Sequence, residues 1–214
     1  MDRRKALKTI GIGAGTITVT PTVVGIFQSC QKNRGKYIPT YFSDYEFSIV
    51  SKLMELIIPK TDIPGAIELK LPHFLDGYVD VIFSKSAKQQ ISFGLDQLLG
   101  VAKNYSGKKT IKELETDDLE YQLARFLKAS DSKQRLWDNE FKKYQKNKNT
   151  IDNTKIPNDA VAFSFVKQLR NLTITAFRTN EFIGENVLAY APIPGEQIGC
   201  IDLKKATGGK AWSL

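Results

Sequence analysis

Ser43-Asp44-Tyr45-Glu46-Phe47-Ser48-Ile49-Val50-Ser51-Lys52-Leu53-Met54-Glu55-Leu56-Ile57-Ile58-Pro59 is the stretch that decides the fold class. Its first four residues fit the Ser-x-x-Glu capping box, in which serine and glutamate side chains satisfy the free amides at a helix start. Tyr45, Ile49, Leu53 and Leu56/Ile57 then recur at helical spacing, with Phe47, Val50, Met54 and Ile58 on a neighbouring stripe. So wide an apolar arc predicts a helix buried on more than one side, and Pro59 ends it.

The same periodicity continues downstream. Residues 71–83 carry Leu71, Phe74, Leu75, Tyr78, Val79 and Ile82 at helical spacing, with Pro72 in the first turn, where its missing N–H costs nothing. Further amphipathic helices are expected over 88–104, 117–127 and 132–146, and a long one follows Pro157 through Val161, Phe165, Leu169, Leu172, Ile174 and Phe177. Strand-like alternation is scarce. The expectation is an all-α single domain with an N-terminal leader helix and an irregular Pro/Gly-rich C-terminal tail.

Two loop segments punctuate this pattern. Residues 60–66 contain Thr61, Asp62, Pro64 and Gly65, and the Pro-Gly pair favours a tight reversal. The tail from Tyr190 holds Pro192, Ile193, Pro194, Gly195, Gly199, Cys200, Gly208 and Gly209, which predicts extended or looped chain, with a short hairpin around Pro194-Gly195, rather than a regular helix. Residues 146–156, rich in Lys and Asn, read as an internal linker.

The N-terminus has the layout of an export leader. Arg3 and Arg4 precede a weakly apolar run over 10–27 diluted by Gly11, Gly13, Gly15 and several threonines, a pattern resembling a twin-arginine signal. Phe27-Gln28-Ser29-Cys30 looks like a loose lipoprotein box, with Gln28 where a small residue is usual. Lipidation of Cys30, plain cleavage and a retained membrane anchor all remain open. The boundaries read as a leader over 1–29, a tether over 30–42 and a helical domain over 43–214, the protein being exported to the periplasm or cell envelope and held at the membrane through the leader or a lipid.

The search for chemistry finds no catalytic constellation. With 214 residues, two cysteines and one histidine, the chain has neither a Cys-x-x-Cys-His haem attachment nor a ready metal-ligand set. Gly11-Ile12-Gly13-Ala14-Gly15 lacks the third glycine of a dinucleotide loop at the right spacing, and no strand precedes it. His73, in the first turn of an apolar helix, reads as structural, and Cys200 as a structural or partner-contact cysteine. Asp44/Glu46 and Asp117/Asp118/Glu120 fall at helix starts, where carboxylates interact favourably with the helix dipole. The 31 basic and 23 acidic residues give a formal charge of +8, part of it in the leader. The lysines from Lys142 to Lys148 around Tyr144 read as a solvated helix end, with no nucleic-acid partner, since no groove-reading motif accompanies them.

Ile57-Ile58-Pro59-Lys60-Thr61-Asp62-Ile63-Pro64-Gly65-Ala66 followed by Leu71-Pro72-His73-Phe74-Leu75-Asp76 resembles the signature of the gluconate 2-dehydrogenase subunit 3 family. The ending is similar too, through Leu172-Thr173-Ile174-Thr175-Ala176-Phe177-Arg178-Thr179-Asn180-Glu181, Tyr190-Ala191-Pro192-Ile193-Pro194-Gly195 and Gly199-Cys200. The resemblance implies a noncatalytic small subunit that binds no cofactor itself. Its implied partner is a large FAD-dependent oxidoreductase of the glucose-methanol-choline type acting on a sugar or sugar acid, often with a cytochrome c subunit carrying haem c. Arg3 and Arg4 would address the assembled pair to the twin-arginine export machinery. Thr61, Asp62, Pro64, Gly65, Tyr190, Pro192, Ile193, Pro194, Gly195 and Cys200 are the expected partner contacts, because loops of special backbone geometry are where such contacts concentrate. An envelope lipoprotein of the same fold serving another partner, and an autonomous enzyme, are the competing readings.

Overall fold

Helix α1 (Asp44–Ile57) begins where its sequence says it should: the Ser43 side chain accepts from the Glu46 amide, and Glu46 accepts from the Ser43 amide at 2.8 Å. In this computed structural model the described residues are 37–147, 156–191, 195 and 200–213. The chain divides into two units, Met1–Ile38 and Pro39–Leu214, and the helices below all belong to the second. Arg3, Arg4, Cys30, Pro192, Ile193 and Pro194, together with most of the expected linker, lie outside the described residues.

After α1 come α2 (Leu71–Ile82), α3 (Lys85–Ser106), α4 (Thr116–Leu127), α5 (Asp131–Asn147), α6 (Asn158–Arg178) and a one-turn α7 (Leu203–Thr207), with a 3-10 turn at Ile111–Glu113 and a π turn at Ile183–Val187. No strand occurs among the described residues, and Pro39–Leu214 form a single helical domain. Local chemistry sets the ends. Ser84 caps α3 by accepting from Ala87, which starts that helix three residues before the apolar periodicity does. Glu115 and Asp118 make a reciprocal box at α4, where Asp118 accepts from the Glu115 amide at 2.8 Å. Lys108 sits 2.6 Å from the same carboxylate and, by donating to it, holds it below the usual carboxylate range.

The centre of the domain is α6, which packs against each of the five other long helices. Its first half is buried nearly all round, at Ala160, Val161, Ala162, Phe163, Phe165 and Val166, and its second half along one face, at Leu169, Thr173 and Ala176, with Lys167, Arg170, Asn171 and Thr175 exposed. Small residues let neighbours approach: a Cβ on Gly94 of α3 would lie 2.7 Å from the Phe165 Cβ. The one buried hydroxyl on that helix, Thr173, donates to the Leu169 carbonyl at 2.8 Å, so its burial leaves no unmet donor. Phe126, Trp137 and Phe163 join α4, α5 and α6 with ring centroids 5.2–6.2 Å apart. Arg125 lies over the Tyr105 ring at 4.2 Å and pairs with Asp159 at the start of α6.

One sequence expectation changes. The tail does hold a helical turn, α7, because Asp202 caps it by accepting from Lys205 at 3.1 Å and Gly208 ends it in the left-handed region at φ 64°. Residues 203–207 contain neither Pro nor Gly, so the density of those residues over the whole tail misled the local reading. The pairing the tail makes is a parallel bridge between Ala189 and Trp212, with the expected turn around Pro194-Gly195 largely outside the described residues. At the basic end of α5, Tyr144 stacks on Phe93 at 6.3 Å, so its ring is engaged within the domain.

Candidate partner-docking site

Glu55 is the residue around which the α1–α2 connector is built. Its carboxylate accepts from the Lys60 amide at 3.2 Å and from the Ile67 amide at 2.8 Å, tying both ends of the loop to the last turn of α1. The Ala66 amide closes the loop on the Ile58 carbonyl at 2.9 Å. Gly65 packs directly onto this carboxylate; a Cβ there would overlap Glu55 Oε1 and lie 2.7 Å from the Lys60 nitrogen. Thr61 is held by its own turn, donating its amide to the Ile63 carbonyl at 3.0 Å, while its hydroxyl accepts from the Ile63 amide at 3.3 Å. Lys60 and Glu68 pair at 2.5 Å across the loop, which raises the Lys60 ammonium above its ordinary value.

This loop faces the end of α6. Pro64, Glu68, Leu69 and Lys70 on one side, with Asn180, Glu181 and Phe182 on the other, line an open groove of about 630 Å³. Asn180 bridges it, donating to the Leu69 carbonyl at 3.5 Å and accepting from the Ile183 amide at 3.4 Å. Lys70 turns the chain into α2 in the left-handed region, at φ 55°. A second cleft of about 250 Å³ adjoins the first through Asn180 and Glu181 and extends to Arg178, Tyr190 and Ser213. Tyr190 is held there because its neighbour Ala189 exchanges backbone hydrogen bonds with the returning tail, to the Ala211 carbonyl at 2.8 Å and from the Ser213 amide at 2.9 Å.

The expected contact residues therefore separate into three groups. Pro64 and Tyr190 line the two joined clefts, and Gly65 shapes the first from beneath. Thr61, Asp62, Gly195 and Cys200 are exposed but line neither cleft. Pro192, Ile193 and Pro194 are outside the described residues. Sequence reasoning missed Glu55, Phe182 and the buried Asp76. A signal for Glu55 existed: a lone carboxylate within an apolar run at a helix C-terminus opposes the helix dipole, so it needs a specific partner. Asp76 gave the same kind of signal, as an acid on the apolar face of α2 between Leu75 and Val79.

Chemistry elsewhere is sparse. Among the described residues no group of three or more His, Cys, Asp and Glu could hold a metal. His73 lies edge-on to Phe47 at 5.5 Å, and burial, with Lys70 nearby, pushes its imidazole below the ordinary value. A cleft of about 310 Å³ between α3 and α4 is lined by Tyr105, Asp117, Asp118, Tyr121 and Gln122, and Asp118 there is already engaged by Lys108 and the Glu115 amide.

The sequence profile of gluconate 2-dehydrogenase subunit 3 matches residues 44–195, from the start of α1 through Tyr190 and Gly195. The chain belongs to the gluconate 2-dehydrogenase subunit 3 family. As a member it is a small subunit of a dehydrogenase complex. No curated protein and no solved structure matches the chain. Two of the stretches that carry the resemblance, 57–66 and 172–181, thus contribute Pro64 on one side and Asn180 and Glu181 on the other side of this groove. No helix among the described residues is long and apolar enough to cross a membrane.

Proposed function

We propose that this chain is the noncatalytic small subunit of an FAD-dependent sugar or sugar-acid dehydrogenase of the glucose-methanol-choline type, and that it escorts the large flavin-bearing subunit through export. The observation that carries the reading is the subunit 3 match over 44–195 in a chain whose first residues include Arg3-Arg4 before a weakly apolar run. In this reading flavin chemistry belongs to the large subunit, haem c to a third subunit where one is present, and this chain supplies a docking surface, the export address and, through Cys30, a lipid anchor in the periplasm or cell envelope. One leader suffices for two proteins if they fold and associate before transport.

Replacing Arg3 and Arg4 together by lysine tests this, because charge is kept while the planar guanidinium donors are lost. Both this chain and the flavoprotein should stay in the cytoplasm, with dehydrogenase activity trapped there. Cys30→Ala should spare export and release the pair from the membrane. Delivery of an active flavoprotein to the envelope by the double lysine variant would instead identify an envelope lipoprotein that meets its partner after export.

A further inference from the structure

The outer face of α2 is apolar and uncovered. Phe74, Tyr78, Val81 and Ile82 fall at helical spacing and are 51%, 36%, 78% and 61% exposed, while Leu75, Asp76 and Val79 turn to the core and Leu71 is buried at the helix start. Phe74 and Tyr78 stack with centroids 5.6 Å apart, and Phe83 extends the patch edge-on to Tyr78 at 5.7 Å. The four side chains leave on the order of 400 Å² of apolar surface open, the size of the largest and often functional patch on a typical monomer. That is most of the apolar share of one side of a standard interface, about 800 Å² at roughly 56–65% apolar.

A second observation lies within the patch. Gly77 sits mid-helix between Phe74 and Tyr78, and a Cβ built on it meets nothing within 4 Å. A glycine inside a helix weakens that helix relative to alanine, and no close contact among the described residues requires one here. The open space above it suits the close approach of another backbone. Both signs adjoin it in the chain: Asp80, next to Val81 in α2, pairs with Lys88 at 2.8 Å. Mixed charge around an apolar centre is the make-up of a protein interface, whereas an anionic lipid surface selects clustered Lys and Arg.

We infer that the Phe74–Tyr78–Val81–Ile82 face of α2 is the seat of the large flavin-binding subunit, with Gly77 the point of closest approach; this rests on the subunit reading proposed above. The test is co-expression of the full-length chain with the flavin-binding dehydrogenase subunit of the same organism, affinity purification through the small subunit, and flavin absorbance per mole of bait. Val81→Asp should cut the retained flavin at least tenfold with an unchanged melting temperature, since Val81 is exposed. Gly77→Ala should raise the melting temperature by about 2–3 °C yet lower retention several-fold, while Gly100→Ala, equally open on α3, should give the same thermal gain with full retention. If the unaltered chain retains no flavoprotein, the subunit reading fails and this inference with it. Full retention by Val81→Asp and Gly77→Ala, with the unaltered chain binding normally, overturns the α2 assignment alone. So does loss of self-association or of binding to phosphatidylglycerol vesicles in Val81→Asp while flavoprotein retention is unaffected.

Discussion

The carboxylate of Asp76, fully buried in α2, accepts the backbone amide of Phe42 at 2.9 Å, and the same group also takes the Tyr41 amide at 3.1 Å and the Thr40 amide and hydroxyl at 2.6 and 2.9 Å. One side chain thus fixes the stretch of backbone leading into α1, letting Phe42 enter the core and placing Ser43 to cap the helix. A buried carboxylate is tolerable because four donors replace its water. Asp76→Asn presents an NH₂ to a ring of donors, and Asp76→Ala leaves three buried or half-buried amides unmet. Each should destabilise the domain by about 3 kcal/mol, read as a lower denaturant midpoint with an unchanged slope. A change within a few tenths of a kcal/mol would show that the anchor contributes nothing.

Gly65 and Glu55 make a tighter constraint. Gly65→Ala forces its Cβ against both the Glu55 carboxylate and the Lys60 nitrogen, the second being backbone that cannot rotate away. A loss of about 2 kcal/mol follows, or roughly 4–8 °C in melting temperature. Glu55→Ala should not rescue it. Glu55→Ala alone should speed amide exchange at Lys60 and Ile67, whose donors it frees, and unchanged protection at both would refute the role given to this carboxylate.

Arg125→Lys separates shape from charge. The guanidinium reaches both Asp159 oxygens, one of them at 3.1 Å, and lies over Tyr105 and Phe126 at 4.2 and 4.8 Å. An ammonium keeps the charge and loses the fork and the stacking, so about 1–2 kcal/mol should be lost. A double-mutant cycle with Asp159→Asn should give a coupling above about 0.5 kcal/mol, and additivity would deny the pair.

His73 is the sole histidine, and histidine is the side chain whose ordinary value puts its charge change between about pH 5 and 8, so a side-chain titration in that window reports it. Burial first, then Lys70, lowers its folded value below the ordinary 6.5, against an opposing pull from Asp76. Because the folded value is depressed, its contribution to stability is complete above 6.5 and is lost as pH falls through the folded value. Melting temperature should fall on acidification across that window, and His73→Gln should flatten the fall. An imidazole proton resonance titrating above 6.5 would contradict the sign.

Much of this domain was legible in its residues because helices are local. Ser43 and Glu46 are three residues apart and cap α1 whatever surrounds them, and the apolar period from Tyr45 to Ile57 needs no partner to be read. The stretches that carry the family resemblance were likewise short local strings, at 57–66, 71–76, 172–181 and 190–195. Their meeting was not: Pro64 and Asn180 are separated by nearly the whole helical domain, and only the docking of α6 on α1 and α2 brings their clefts together. The bonds from Asp76 to Phe42 and from Glu55 to Ile67 were hidden for the same reason, since a carboxylate shows in sequence as an acid but its donors are chosen by the tertiary path. The exposure of Phe74, Tyr78 and Val81 was hidden too: periodicity says that α2 is apolar on several sides, and only the placement of the other helices decides which side stays uncovered.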